Sequence, residues 1–321
     1  MNLQNQAEVS ALLRQLQVHF DNEPAQHLTT AEWAKQWMSI ASAGKSYAQQ
    51  SATRNAMYIH ILPYIGCKQL NEVSFVDAAE VMANVADFSY SLRSKVLVNM
   101  RAMFNLALKS HLIFENPCAD LKAGKNDTPE KAALTPDQQA ELERRVKNTR
   151  AETYVLIALY TGLRRSEILA LDWSDIDLCS DTPTLQVRRS LRWEHNRPIV
   201  SSKLKSKSAY RTIPLPSKLC EYLICLPKNG KYVFGGENPL TYSQFKNLWN
   251  SVKKQDFDFV VTPHLLRHTY ITRLILGNAN IKHVQYLAGH SSVQITLKIY
   301  THLIDNSPAE IYASVNRVFN R

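Results

Sequence analysis

The sequence lacks long apolar runs and is poor in the residues that mark fibrous chains. No stretch of about 18 or more apolar residues occurs, so we expect neither a membrane span nor a membrane partner. Residues 1–20 lack a basic segment followed by an apolar one, so we expect no signal peptide and a cytoplasmic location. Only 9 Gly and 13 Pro among 321 residues exclude a collagen-like or glycine-rich chain. With 45% hydrophobic and 21% charged residues, the composition is typical of a globular chain, and the length of 321 residues suggests two domains, with three possible.

The patterns of a disulfide framework or a metal site are also missing. The cysteines are odd in number and form no C-x-x-C pair: Cys67, Cys118, Cys179, Cys220 and Cys225. No Walker motif is present that would hold Mg²⁺. We therefore expect reduced thiols, no metal and no cofactor.

Positive charge is present in excess and is unevenly placed. The net charge is +10, from 38 basic and 28 acidic residues. Residues 1–120 hold 9 basic and 10 acidic residues, and residues 121–321 hold 29 and 18. So uneven a distribution favours a polyanionic partner for the second half, although many basic proteins never bind nucleic acid.

Helix and strand signals divide the chain into four parts. A polar stretch with Gly, Pro and charge separates two folded regions. The predicted parts are an N-terminal extension at 1–26, a helical domain at 27–118, a linker at 119–133 and a second domain at 134–321 with a tail from 301. In the helical domain we expect a helix that opens with a Thr29–Glu32 capping box, then helices at 51–62, 76–85 and 91–109. Pro63 and Gly66 are expected to close the second of these, and Asn116–Pro117 the last.

The second domain is predicted to be mainly helical with a short β-region. The predicted helices are 136–148, 151–161, 164–171, 263–276, 281–288 and 293–300, with helical pattern from 242 onward. The predicted strands are 184–191, 197–201 and 210–214.

Two segments of the second domain place an arginine beside a charged or titratable residue. In TGLRRSE, Arg164 stands at a helix start and Glu167 follows three residues later, within reach of the guanidinium. In TPHLLRHT, His264 and Arg267 share one helix face. A cation beside a proton carrier suits a phosphate, but a surface Arg–Glu pair and a structural histidine explain these segments as well.

Three further segments carry a lysine cluster, a histidine and a tyrosine. Residues 203–211 are predicted as a basic β-hairpin with its turn at 206–209, and the alternative is a solvated turn. In LAGHSS, Gly289 can end a helix and leave His290 on a turn, where a histidine is often merely structural. In TLKIYTH, Tyr300 lies on a helix, where most tyrosines belong to the core or an interface.

Taken together, these residue types suit phosphoryl transfer without a metal. Two arginines can clamp the non-bridging oxygens of a phosphate as charge builds in the transition state. A tyrosine can attack phosphorus and hold it covalently, and a lysine or histidine can protonate the leaving oxygen.

The order of TGLRRSE, HLLRHT, LAGH and IYTH resembles that of the tyrosine recombinases, the phage integrase family. The resemblance implies Tyr300 as nucleophile and Arg164, Arg267 and His290 as stabilisers of the phosphorane. It implies His264 as a general base or phosphate hydrogen-bonder, Glu167 as a supporting residue and Lys205 as general acid, with Lys203 and Lys207 as close competitors. Arg165, often apolar in relatives, and Ala288, where Leu is usual, depart from the family pattern.

The resemblance also implies a fold and a set of DNA contacts. It implies a mainly α fold with a small antiparallel β-sheet, in which a helical core-binding (SAM-like) domain and a catalytic domain form a C-shaped clamp around duplex DNA. Outside the catalytic set, the predicted DNA contacts are Lys203, Lys207, Arg211, Arg54, Arg93, Lys95 and Arg101.

The implied function is site-specific DNA recombination through a 3′-phosphotyrosyl intermediate and a Holliday junction. A homo-tetramer on DNA is expected, in which the tail of each subunit joins it to a neighbour. The alternative is that the apolar stripe of the tail packs on its own subunit. The stripe comprises Ile311, Tyr312, Val315, Val318 and Phe319. The resemblance allows accessory DNA-bending or directionality proteins and implies a nucleoid-associated location. The short stretch before residue 27 argues against an arm-binding domain. The rivals are a type IB topoisomerase and a non-catalytic DNA-binding regulator.

Overall fold

A computed structural model describes residues 28–126, 132–204 and 206–303, with only the backbone described for Tyr300, His302 and Leu303. The chain divides between Glu130 and Lys131 into two compact units. The predicted N-terminal extension, part of the predicted linker, Lys205 and the apolar stripe of the tail lie outside the described residues. Within the described ranges, no helix is both long and apolar enough to cross a membrane.

The first unit is a bundle of helices around one apolar core. Trp33 lies in this core, and its indole Nε1 donates a hydrogen bond to the Met103 carbonyl oxygen at 3.1 Å. The predicted capping box of Thr29 and Glu32 is present and starts the first helix. The helices are α1 Thr30–Ser42, α2 Tyr47–Asn55, a π-helical turn Ala56–Ile61, α3 Leu62–Ile65, a 3₁₀ turn Leu70–Glu72, α4 Phe75–Ala83 and α5 Tyr90–Lys109.

The second helical stretch corrects the prediction that Pro63 would close it. It begins at Tyr47, where Ser46 and Gln49 form a capping box, and continues through the π-helical turn to Ile65. Pro63 stands in the first turn of α3, where a missing N–H is tolerated because the preceding turn is wider than an α-turn. The proline therefore marks a change of helix type and does not end the helix.

Helix α5 ends at a different signal from the predicted one. It stops at Lys109, the last residue predicted for it, well before Asn116 and Pro117. His111 takes a left-handed conformation with φ of 56°, and the Leu112 N–H donates to the Ala107 oxygen at 3.0 Å. This pattern closes a helix without any proline.

The second unit joins helices to two small antiparallel sheets, which agrees with the mainly α class expected. The helices are α6 Pro136–Val146, α7 Glu152–Thr161, α8 Arg165–Ile168, α9 Ser217–Ile224, α10 Tyr242–Lys253, α11 Pro263–Leu276, α12 Ile281–Ala288 and α13 Val293–Leu303. The strands are β1 Ile176–Asp177, β2 Thr184–Val187, β3 Ser190–Glu194, β4 Arg197–Ser201 and β5 Arg211–Pro214. Helix α9 was not predicted, and α8 is shorter than the predicted 164–171.

Strand pairing corrects the predicted basic hairpin. Strands β3 and β4 pair with each other across the turn His195–Asn196, whereas β5 pairs with β2 in the sheet β1–β2–β5. Both turn residues have positive φ, 45° and 71°, which suits a two-residue hairpin turn. The predicted turn at 206–209 is instead part of a loop between the two sheets, with a 3₁₀ turn at Lys207–Ala209.

Helix α7 is almost wholly buried and leads the chain to the site. Its end is set by Gly162, which has φ of 61°, and a Cβ there would overlap the Tyr270 ring of α11. The left-handed turn reverses the chain and places Arg164 at the start of α8. The glycine of the Thr-Gly-Leu-Arg segment therefore allows α7 and α11 to pack closely.

Candidate active site

Three arginines from separate elements converge on the C-terminal end of α12. They donate hydrogen bonds to three consecutive carbonyl oxygens: Arg211 Nε to Leu287 at 2.8 Å, Arg267 Nη2 to Ala288, and Arg164 Nη2 to Gly289 at 2.6 Å. The last carbonyls of a helix have no partner within it and carry partial negative charge, which attracts cations. The LAGH segment therefore supplies the backbone acceptors that hold the arginines.

Gly289 makes this convergence possible. It adopts the left-handed conformation, with φ of 62° and ψ of 42°, and ends α12. A Cβ at this position would lie 2.9 Å from Nη1 of Arg211. The glycine therefore gives the guanidinium the space to reach the helix end.

Glu167 is the carboxylate that binds two of these arginines. Its Oε1 accepts from Arg164 Nη1 at 2.8 Å, and its Oε2 accepts from Arg211 Nη2 at 2.8 Å. Burial raises the pKa of this carboxyl, but the hydrogen bonds and charges of Arg211 and Arg164 together outweigh burial and hold the pKa below its ordinary value. The predicted contact with Arg164 is present, and Glu167 is ionised at neutral pH.

Arg211 lies where the sequence analysis did not expect it. It was predicted as a DNA contact, yet its side chain is completely buried and bonded to Glu167 and to backbone oxygens. One signal in the sequence points to this inward position: Arg211 and the core residue Ile213 are alternate residues of β5, and alternate residues of a strand face one side.

Arg267 is also buried, with its guanidinium held from two sides. It donates to the Gly162 oxygen at 2.6 Å as well as to Ala288. Burial and the positive charge of Arg164 lower the pKa of Arg267 to about 9. The side chain therefore remains charged at neutral pH, in a fixed orientation.

His290 follows Gly289 and is buried against α13. Its Nδ1 lies 2.9 Å from the Oγ1 of Thr296, which is itself buried. Burial, together with the charges of the three arginines, lowers the pKa of His290 to about 4. The imidazole is therefore neutral at physiological pH and has one N–H to donate.

These residues border two cavities that share Arg164 and Ser166. The first, which we name the histidine cavity, has a volume of about 320 Å³ and is bordered by Arg164, Glu167 and His290. The second, the arginine cavity, has a volume of about 460 Å³ and is bordered by Arg164, Arg267 and the exposed His264. Arg164 thus borders the cavity of each of the two histidines.

The lysine and tyrosine candidates are only partly described. Lys203 and Lys207 are exposed on the loop between the sheets, while Lys205 lies outside the described residues. Two residues of this loop, Leu204 and Ser206, border the histidine cavity. Tyr300 is on α13, one turn beyond Thr296, and its side chain is outside the description.

Two of the predicted DNA contacts in the first unit have partners within it. Arg101 donates to the carbonyl oxygens of Cys118 and Ala119, and Arg93 donates to that of Lys125 at 2.9 Å. These two arginines hold residues 118–125 against the unit, so the start of the predicted linker packs there. Arg54 and Lys95 are exposed.

The fold is that of the DNA integrases. The Tn1549 transposon integrase, solved with transposon right end DNA, superposes with a TM-score of 0.73 over 91% of this chain and 99% of that chain, at 22% identity. A lambda integrase dimer bound to a core site superposes with a TM-score of 0.66 over 86% and 78%, at 18% identity.

Residues 133–307, more than half of the chain, match the phage integrase family, and the chain belongs to that family. It is a tyrosine recombinase, the class that carries out site-specific DNA recombination. It is 28% identical to a tyrosine recombinase XerC-like protein of Caldanaerobacter subterraneus subsp. tengcongensis, over 68% of this chain and 64% of that protein. It is 27% identical to a tyrosine recombinase of Thermosipho africanus, over 76% and 85%. The Tn916 transposase of Enterococcus faecalis is 26% identical, over 77% and 68%.

Proposed function

We propose that this chain cuts and rejoins DNA strands by phosphoryl transfer to Tyr300, without a metal. The observation that carries the proposal is the fixed arginine cluster, in which Arg164 and Arg267 are held by protein acceptors before any substrate binds. Preorganised charge of this kind stabilises a phosphorane because it need not reorient during the reaction. Residues 134–321 are the proposed catalytic domain, and residues 27–118 the proposed core-binding domain.

The proposed reaction exchanges one phosphoester for another. The Tyr300 oxygen bonds to phosphorus as the bond to the 5′-oxygen breaks, which leaves a 3′-phosphotyrosyl link and a free 5′-hydroxyl. Lys205 donates the proton to the leaving oxygen, with Lys203 and Lys207 as alternatives, and His264 takes the tyrosine proton or bonds the phosphate. Religation reverses the steps, so no ATP is consumed.

A trapping assay tests this function. The recombination site is first read from DNA junctions formed in cells that express the chain, and a nicked duplex of that site is then incubated with the full-length protein. Loss of the short nicked strand prevents religation, so we expect a covalent protein–DNA band, and EDTA should leave its yield within a few-fold. No band would favour a non-catalytic regulator. Relaxation of any supercoiled plasmid by a monomer would favour a topoisomerase. A band that needs added Mg²⁺ would contradict the metal-free scheme.

Thr296 sets the proton position on His290 in this proposal. If the hydroxyl donates to Nδ1, the single N–H of the neutral ring is on Nε2 and is free to bond a phosphate oxygen. Thr296 is therefore a positioning residue that acts through His290.

Thr296→Val should slow formation of the covalent band by about tenfold, because the valine leaves Nδ1 without a donor and the tautomer unfixed. Thr296→Ser, which keeps the hydroxyl, should restore the rate. Duplex affinity, measured by gel shift, should stay within about twofold for both variants. A wild-type rate for the valine variant would show that the Thr296 hydroxyl has no part in positioning His290.

The proposed partners are duplex DNA and further copies of the chain. The resemblance supports a clamp around DNA and a tetramer, and the lambda integrase has been solved as a tetramer bound to a Holliday junction. Assembly through the tail from residue 301, accessory DNA-bending or directionality proteins, and a cytoplasmic, nucleoid-associated location are proposals that rest on the resemblance.

A further inference from the structure

The guanidinium of Arg165, an exposed residue, lies against two aromatic rings. Its Cζ lies 5.5 Å from the ring centroid of Trp193 and 5.7 Å from that of Phe245. The two rings are stacked, with centroids 5.5 Å apart and planes 30° apart. The indole Nε1 of Trp193 donates to the Leu240 oxygen at 2.9 Å, which fixes the ring. Cation–π contact with two rings orients the guanidinium before a ligand arrives.

The guanidinium N–H groups of Arg165 donate no hydrogen bond within the described part of the chain. The Arg164 side chain donates to Glu167 and a backbone oxygen, and that of Arg267 donates to two backbone oxygens, whereas the Arg165 guanidinium makes only its two ring contacts there. A planar guanidinium offers five N–H donors that match phosphate oxygens. Its donors are therefore available to a ligand.

The surroundings of Arg165 suit an anion. It borders the arginine cavity together with Arg164, Arg267 and the hydroxyl residues Ser166 and Thr262. No acidic side chain is among the described residues that border this cavity. Glu167 borders the histidine cavity instead. Glu167 offsets the charge of Arg164, whereas Arg165 and Arg267 have no ion pair among the described residues, so the cavity keeps an excess of positive charge.

We propose that Arg165 binds a second DNA phosphate, next to the one that Arg164 and Arg267 hold. Successive residues at a helix start point in different directions, so Arg164 and Arg165 do not address the same oxygens. A DNA strand presents adjacent phosphates, and two fixed guanidinium sites set its register across the cavity. This inference rests on the proposed function, because it takes the ligand to be a DNA strand.

The salt dependence of DNA binding tests the inference. The full-length wild type, Arg165→Ala, Arg165→Lys and Arg273→Ala are compared on one labelled duplex of arbitrary sequence, between about 50 mM and 200 mM salt. Arg273 is the matched control, since it is exposed at the far end of α11. Loss of one phosphate contact should reduce the log–log slope by about 0.9 for Arg165→Ala and weaken binding by about five- to tenfold at low salt.

The slopes and affinities of Arg165→Lys, Arg273→Ala and the wild type show whether a second phosphate site exists. Arg165→Lys should keep the slope, because the charge remains, yet bind more weakly than wild type because an ammonium lacks the planar stack. Arg273→Ala should match wild type in both slope and affinity. A wild-type slope for Arg165→Ala, or an equal change in Arg273→Ala, would overturn the second phosphate site. Salt-independent binding by the wild type would instead count against the proposed function.

Discussion

Replacing Tyr300 with phenylalanine should abolish the covalent protein–DNA band and leave duplex affinity within about twofold, because only the nucleophilic oxygen is lost. Position 300 follows Thr296 by one turn of α13, and Thr296 contacts His290. Residues four apart share a helix face, so α13 presents position 300 on the side of the helix that contacts His290. Denaturing gels of the trapped nicked duplex measure the band, and gel shifts measure the affinity.

Tyr286→Phe is the matched control for this experiment. Tyr286 is exposed on α12, and its hydroxyl oxygen accepts a hydrogen bond from the Thr212 N–H at 2.9 Å. It is thus a second tyrosine close to the arginine cluster, without a proposed role in the reaction. Its variant should give a normal band. A band in Tyr300→Phe, or its loss only in Tyr286→Phe, would assign the nucleophile to another residue.

Local signals in the sequence predicted several elements well. Pro263 in the first turn of α11 and Gly289 after α12 fixed the predicted bounds 263–276 and 281–288, and both match the structure. Strand β4 also has the bounds expected, 197–201. Proline at a helix start and glycine after a helix end act within one turn, so no knowledge of distant partners is needed.

Elements that depend on distant partners were predicted less well. The expected strand 184–191 is split between two sheets, because β2 pairs with β5 whereas β3 pairs with β4. The partner of a strand is selected by packing and burial across the whole unit, which the residues of the strand alone do not contain. The same limit explains why the basic hairpin was assigned to the wrong strands.

In the candidate site too, local motifs were predicted well and contacts with distant partners were not. The motifs identified Arg164, Glu167, Arg267 and His290, and the structure brings all four to the end of α12. They did not show that the carbonyl oxygens of 287–289 hold the arginines, because backbone acceptors leave no residue type as a signal. Nor did they show that Arg211 is a buried partner of Glu167.

Glu167→Ala should lower the free energy of unfolding by about 3–5 kcal/mol, since it removes one partner of a buried ion pair. The Arg211 side chain has no solvent exposure and would keep its charge without the carboxylate that offsets it. Arg164 would lose the same carboxylate, so the covalent band should also fall strongly. Urea unfolding at neutral pH measures the first effect, and the nicked-duplex assay measures the second.

The pH dependence of stability tests the same ion pair between Glu167 and Arg211. Because the folded-state pKa of Glu167 is lowered, its contribution is fully present above the ordinary value of 4.5 and declines as pH falls toward the folded-state pKa. The alanine variant lacks this contribution, so its stability deficit should shrink as the medium is acidified below that value.

Two comparisons distinguish the buried pair from an ordinary surface contact. Glu141→Ala removes a carboxylate paired with Arg145 on the half-exposed face of α6, and should cost less than about 1 kcal/mol. A double variant, Glu167→Ala with Arg211→Met, removes both buried charges and should recover part of the stability but none of the covalent band, since Arg164 still lacks its carboxylate. If Glu167→Ala were no less stable than Glu141→Ala, Arg211 would be stabilised by the carbonyl oxygens of Leu287 and Ala209 alone, and the central place of Glu167 in the cluster would be wrong.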